Sequence, residues 1–295
     1  MNFMKFRYFY FIFSLLFLVP GIVSLALYGL KPSIDFTGGS LLEVKVTQKS
    51  SAIELSQQKL QQILGQSYEI AMVQQSGPDQ FILRGKPISN DQKIAVIKKL
   101  QSNFTSVSEQ RFETVGPILG QELLQKTIYA GIVVTLIIIA YVWRQFHDAK
   151  YGVAAVIAMF HDAFILLGTF SILGKLYNVE VDVLFVTALL TIMSFSVHDT
   201  IIVFDRIRET VRLHPRAEYI DIVNAAVLQT LGRSINNSMT IIIMLLTLAL
   251  LGGETVHWFA VALLVGAITG TYSSTFTAAP LLLIWDEVKT KLKKK

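Results

Sequence analysis

Cysteine is absent from this 295-residue chain, so disulfides, thiolate zinc sites and thiol nucleophiles drop out before any motif is considered. Charge is also scarce, at 16% of residues against 53% apolar ones, and the mean hydropathy is positive. That balance leaves too little polar surface to clothe a soluble particle of this length, and a bilayer is the natural solvent. A basic stripe of the kind that holds a polyanion is missing as well. The net charge is +5, but the Lys and Arg residues sit at the chain ends and between apolar segments, so membrane lipid and not nucleic acid is the expected surrounding. Neither HExxH nor the GxGD of intramembrane aspartyl proteases occurs, which removes the usual routes to proteolysis inside a membrane.

What is present is a series of runs near 20 apolar residues, the length that crosses a hydrocarbon core about 30 Å thick. They cover Tyr8 to Leu30, Thr127 to Trp143, Gly152 to Leu173, Val183 to Phe204, Ile235 to Leu251 and Trp258 to Trp285. The first follows Lys5 and Arg7, and Ser24 and Ala26 offer a small-x-small site like that of a secretory signal. Its length and the five spans that follow favour a retained helix. Basic residues of the chain ends and short loops gather on one side: Lys5 and Arg7, Arg144 and Lys150, the arginines from Arg206 to Arg233, and Lys289 to Lys295. The opposite short loops hold Lys175, Glu180, Asp182 and Glu254. By the positive-inside rule both termini are expected in the cytoplasm and the polar stretch 31–126 outside it.

That stretch reads as strand (Ile34 to Val46), helix (Ala52 to Leu64), two strands (Tyr68 to Gln75, Gln80 to Arg84), helix (Asn90 to Phe104) and strand (Ser106 to Val115). The helices rest on Ile53, Leu60 and Ile63, and on Ile94, Ile97 and Leu100, at helical spacing. Two βαβ halves in this order predict an α+β ferredoxin-like domain. The expected organisation is therefore a first transmembrane helix (1–30), the domain (31–126), a five-helix bundle (127–285) and a basic tail (286–295). An amphipathic cytoplasmic segment is expected near 206–232, from the stripe Ile220, Val223, Val227 and Leu231 after Pro215.

Ionisable side chains inside a bilayer are expensive, so each needs a partner, a cavity or a task. The fourth span carries Thr187, Thr191, Ser194 and His198 as one helical stripe, with Asp199 beside it. The fifth opens with Arg233, Asn236, Asn237 and Thr240, and the third contributes His161 and Asp162. One reading makes these loop-end, packing and capping residues; the other makes them an ion or proton route. Gly266, Gly270, Ser274 and Thr277 line one side of the sixth span before Pro280, a pattern that lets helix backbones approach closely.

The segments IDFTGGSLLEV, VGPILGQEL, SVHDTIIVFDRIRE and GTYSSTFTAAPLLL, in this order, resemble the SecF family of bacterial protein-translocase subunits, related to the RND transporter superfamily. The resemblance covers essentially the whole chain. It implies a non-enzymatic six-helix subunit of the bacterial cytoplasmic (inner) membrane that pairs with SecD. The pair would assist the SecYEG channel and the SecA motor, using the proton-motive force to complete export of unfolded precursors. No cofactor is implied beyond a coupling proton, with sodium open as an alternative ion. The family's membrane carboxylate falls on Asp199, its arginine on Arg233 and its HD pair on His161 and Asp162. His198 departs from the neutral polar residue expected there, which leaves its place in a proton path open. Gly38 and Gly39 read as a strand irregularity or close backbone approach, since no helix follows at once.

Burial and a neighbouring guanidinium act in opposite senses on a carboxyl group, so a small movement of the fifth helix is expected to switch Asp199 between its neutral and ionised forms. Half of an RND-type exporter and a passive translocase scaffold are the rival readings. The orientation has a direct test in this cysteine-free chain: an impermeant thiol reagent applied to intact cells should label Gln57→Cys and spare Thr290→Cys. Labelling of Thr290→Cys with Gln57→Cys protected would invert the topology.

Overall fold

The computed structural model describes residues 3–47, 57–65, 68–75, 79–146 and 148–293. In chain order the elements are α1 (Arg7–Tyr28), α2 (Ile34–Thr37), β1 (Gly39–Thr47), α3 (Gln57–Leu64), β2 (Ile70–Gln75), β3 (Gln80–Gly85), α4 (Asn90–Asn103) and β4 (Ser106–Val115). They continue with α5 (Pro117–Gln145), α6 (Ala149–Tyr177), α7 (Val183–Leu213), α8 (Tyr219–Leu251), α9 (Glu254–Ser273) and α10 (Ala279–Lys293). A 3₁₀ turn (Phe3–Phe6) precedes α1, and a π-helical turn (Ser274–Ala278) joins α9 to α10. Contacts divide the chain into two compact units, Met1–Lys31 with Tyr129–Lys295, and Pro32–Ile128.

The first unit is a helical bundle. Among the described residues six helices are long and apolar enough to cross a membrane, the last running from α9 through the π turn into α10. Many of their large apolar side chains face outward, among them Ile12, Leu16, Leu136 and Ile137, as a hydrocarbon surrounding allows. Small residues set the contacts inside. A Cβ on Gly168 of α6 would stand 2.4 Å from Gly21 Cα of α1, so these backbones touch where no side chain fits. The Ser24 and Ser171 hydroxyls share a hydrogen bond of 2.9 Å one turn further on, and Ser14 meets Thr277 at 3.2 Å. Ahead of α1, Met4 is fully buried in the bundle core, and Arg7 at the start of α1 pairs with Glu287. The first span is thus built into the bundle as a packed helix.

Helix ends follow from local chemistry. Asp182 caps α7 by accepting the Phe185 N–H at 2.7 Å, and α6 closes on Asn178 in the left-handed region. The π turn lies just before Pro280, which has no N–H to offer the carbonyl one turn back, so the backbone widens there. The expected surface helix near 206–232 is not a separate element. Residues 206–213 end α7 and 219–232 begin α8, and Val223 and Val227 are buried in the bundle core. The apolar stripe was legible; its partner is the bundle's own packed interior.

The second unit holds a four-stranded antiparallel sheet in the order β2-β3-β1-β4. Leu42, Val44 and Val46 of β1, with Phe81 and Leu83 of β3, face Leu60 and Leu64 of α3 and Val96 and Leu100 of α4 in one core. Val96 replaces Ile94 in the inward set, for Ile94 is 48% exposed; the inward face of α4 is rotated relative to the expected one. The helical segment expected from Ala52 is described from Gln57, and Ile53 lies outside the described residues. The strand expected from Ile34 is instead a helical turn, α2, followed by β1. Ser33 caps that turn through the Asp35 N–H, and Gly38 ends it at φ +71°, a conformation open to glycine. Gly38 is also where the chain meets Pro117: a Cβ on Gly38 would lie 2.8 Å from Pro117 Cα.

Tyr68 is fully buried in this core and donates its hydroxyl hydrogen bond to the Ser40 carbonyl at 3.2 Å. Burial pushes its phenol up to about 12, with Arg84 acting the other way. The raised value means stability that is present below the unfolded phenol's ordinary range near 10 and lost as pH rises through about 12. Phenolate absorbance of the intact protein, minus that of Tyr68→Phe, should therefore show one phenol that ionises about 2 units late; ionisation near pH 10 would place Tyr68 in water. For the bundle, cysteines at Ser24 and Ser171 should crosslink in the parent chain and lose that crosslink when Gly168 is changed to Leu, because the added side chain occupies the Gly21 backbone. An unchanged crosslink would show that the α1–α6 contact does not depend on glycine.

Candidate functional site in the membrane

The bundle buries a small polar group where α6, α7 and α9 meet. Asp162 of α6 is wholly buried; its Oδ2 accepts from the Ser273 hydroxyl at 2.6 Å, and its Oδ1 lies 2.9 Å from His161 Nδ1. His161 itself is buried, and its Nε2 has no hydrogen-bond partner among the described residues. On α7, Ser196, Asp199 and Thr200 point inward. Thr200 satisfies itself on the Ser196 carbonyl at 2.9 Å. Asp199 is 4% exposed, and neither its Oδ2 nor Ser196 Oγ finds a partner among the described residues. Ser234 of α8 stands beside Asp199, yet its Oγ also completes no hydrogen bond there. Buried polar atoms are normally satisfied, so several orphans in one place single out a group that the described residues do not fully pair.

Two glycines make the group accessible to itself. A Cβ on Gly266 would collide with the Ile192 side chain at 2.1 Å, so α9 lies directly on α7. One turn on, a Cβ on Gly270 would sit 3.7 Å from both Asp162 Oδ2 and Ser196 Cα. Ser274 is fully buried and donates to the Thr271 carbonyl at 3.2 Å, while its neighbour Ser273 makes the contact across to α6. Ser273, Ser196 and Ser234 were not among the residues singled out from the sequence. Ser273 and Ser234 adjoin Ser274 and Arg233, which were, and Ser196 lies between Ser194 and His198; hydroxyls in apolar helices carry no signal of which way they face.

The other expected residues lie elsewhere. Arg233 is exposed and makes no ion pair with Asp199 in this conformation among the described residues. Thr191, Ser194 and His198 face out of the bundle, and with Leu190 and Phe195 they line an open cleft of about 550 Å³. Asn236, Asn237 and Thr240 on α8 are exposed as well. The polar residues of α7 therefore divide, with Ser196, Asp199 and Thr200 buried inside and Thr191, Ser194 and His198 presented outside.

Residues 95–288 match the family described as Protein export membrane protein SecD/SecF, C-terminal, and residues 23–50 match the SecD/SecF GG motif. The chain belongs to the SecD/SecF family. It is 40% identical to the protein translocase subunit SecF of Anaerolinea thermophila, over 97% of this chain and 94% of that one. Identity to the SecF of Thermobaculum terrenum is 39%, over 96% and 93%. The protein translocase subunit SecDF of Bacillus subtilis is 34% identical over 95% of this chain, which spans 37% of that protein. Among solved structures, the SecDF of Thermus thermophilus, a translocon-associated membrane protein, superposes with a TM-score of 0.83 at 30% identity, covering 97% of this chain and 39% of that one. Of the family's GG motif, Gly38 and Gly39 both take positive φ, and a Cβ on Gly39 would press on the Gly85 carbonyl at 3.0 Å.

Proposed function

We propose that this chain is an auxiliary subunit of the Sec protein translocase that pairs with SecD in the bacterial cytoplasmic membrane and uses the proton-motive force to promote export of unfolded precursor proteins. Asp199 is its protonatable centre. The observation that carries this reading is a carboxyl group at 4% exposure, inside an apolar helix, with an oxygen lacking any partner among the described residues. A group so placed is costly to keep unless its protonation is the point. Arg233 acts by approach: one α8 movement brings a guanidinium toward Asp199 and its reversal takes it away, and each position favours a different protonation state. One charge crossing 100 mV is worth about 2.3 kcal/mol, enough for a few protons to drive a domain movement.

Pairing with SecD is supported by the outward polar residues of α7 and α8, which hydrocarbon alone would leave unsatisfied, and by relatives in which this chain is one part of a longer SecDF. The SecYEG channel, the SecA motor and the precursor are the further partners of this reading. Both termini lie in the cytoplasm by the charge asymmetry. The sheet order β2-β3-β1-β4 with both helices on one face supports a ferredoxin-like domain outside the cytoplasm, whose exposed strand edges suit unfolded chains without sequence preference.

The test is precursor translocation into vesicles, with and without an imposed proton gradient, after ATP-driven movement has been stopped. Asp199→Asn keeps the size and most of the hydrogen bonding but cannot ionise. It should leave an inserted, partner-bound protein with no gradient stimulation; undiminished stimulation would return the scaffold reading. A cysteine at Ser194, paired with cysteines scanned along the partner's membrane helices, should give a crosslink to SecD. If it reacts only with lipid-soluble reagents in the intact complex, the outward stripe is not the docking face.

A further inference from the structure

We propose that Asp162 is the second carboxyl of the proton path, that it and Asp199 hold one proton between them across the α6–α7 contact, and that Ser273 of α9 positions it. This rests on the reading of Asp199 as the protonatable centre. The geometry begins with nearness. Asp162 Oδ2 and Ser196 Cα flank the same point above Gly270, each at 3.7 Å, and Ser196 lies one helical turn before Asp199 on the same face of α7. The charged or titratable groups that Asp199 feels are Asp162 from α6 and His198 from its own helix, with the Ser234 hydroxyl from α8. Two carboxylates at this depth cannot both ionise cheaply, and one shared proton keeps the pair at a single negative charge. A proton that leaves one carboxyl is taken up by the other, so the total charge is conserved.

The surroundings of Asp162 accept either state, which a merely structural aspartate would not need. The Ser273 hydroxyl has two acceptors in reach, Asp162 Oδ2 at 2.6 Å and the Gly270 carbonyl at 3.2 Å. Toward an ionised Asp162 it donates. Toward a protonated Oδ2 it can turn its hydrogen to Gly270 and accept instead. His161 Nδ1 is equally reversible, since an imidazole nitrogen donates in one tautomer and accepts in the other, and its Nε2 is unpartnered among the described residues. Ser196 Oγ and Asp199 Oδ2, both buried and both unpartnered among the described residues, stand on the α7 side of this contact. The π turn starts at the residue after Ser273, so the backbone holding this hydroxyl is itself irregular, as helices often are at working sites.

The experiment uses the full chain in its partner complex, in vesicles, with gradient-stimulated translocation measured across a range of lumenal pH. Expected results are loss of stimulation in Asp162→Asn, retention in Asp162→Glu, and a displaced pH profile in Ser273→Ala, with membrane levels and partner recovery as in the parent. Loss in Asp199→Asn together with parental behaviour of both Asp162→Asn and Ser273→Ala would overturn this proposal while sparing the function above. Should Asp162→Asn fail to accumulate, the comparison of Asp162→Glu with Ser273→Ala decides. A parental pH profile in Ser273→Ala, or loss in Asp162→Glu as well, would leave Asp162 a packing residue and overturn it. Parental stimulation in Asp199→Asn would instead end the underlying reading.

Discussion

A carboxyl group surrounded by hydrocarbon has to be enclosed by protein, and the enclosure of Asp162 and Asp199 is the constraint on which the bundle turns. Enclosure demands that three helices approach more closely than ordinary side chains permit. Gly266 grants this between α9 and α7, where even a methyl group would strike Ile192, and Gly270 grants it beside Asp162. On the far side of α6, Gly168 lies against Gly21 of α1. With no hydrophobic drive between helices in lipid, such contacts depend on dispersion and short hydrogen bonds, and both need backbones at close range. The Ser24–Ser171, Ser14–Thr277 and Ser273–Asp162 bonds are the polar half of that arrangement.

Pro280 extends the same logic. Its missing N–H obliges the helix to widen before it, and the resulting π turn holds Ser274, Thr275 and Thr277 in the buried interior. A regular α-helix would carry these hydroxyls round to other faces, because each extra residue in a turn rotates everything that follows. The irregularity therefore fixes which small polar residues meet α6 and α1.

Much of this was legible in the sequence, and the reasons differ by element. Apolar length announces a membrane helix because no other backbone survives in lipid, so the six apolar segments were readable. Strand and helix patterning in the small unit followed from spacing, although Ser33 and Gly38 converted the expected start of a strand into a capped turn, and Val96 took the inward place assigned to Ile94. What spacing could not convey was rotation. The sequence sets Asp199 beside the stripe that ends in His198, and only the structure shows that the helix places Asp199 inside and His198 outside. The resemblance sets Arg233 toward Asp199, and in this conformation its chain neighbour Ser234 is the residue that stands beside Asp199. Hydroxyls such as Ser273 gave no signal, because a serine in an apolar helix bonds its own backbone as readily as another helix.

On the proposed reading, the division of α7 bears on how a proton site and a partner surface would communicate. Successive residues of an α-helix lie about 100° apart, so Asp199 and His198 occupy different faces while sharing one backbone. Any rotation of α7 that changes the surroundings of Asp199 must also turn Thr191, Ser194 and His198 against whatever covers them. No chain of intervening contacts is required, because one rigid helix carries both faces. The coupling holds equally in reverse: a partner that grips the outer stripe more tightly in one rotation than in another changes the environment of Asp199 by the same free energy, since coupling between two sites on one element is reciprocal. On the proposed reading, an isolated chain with its outer stripe facing lipid lacks that bias, and proton-dependent movement would require the assembled pair.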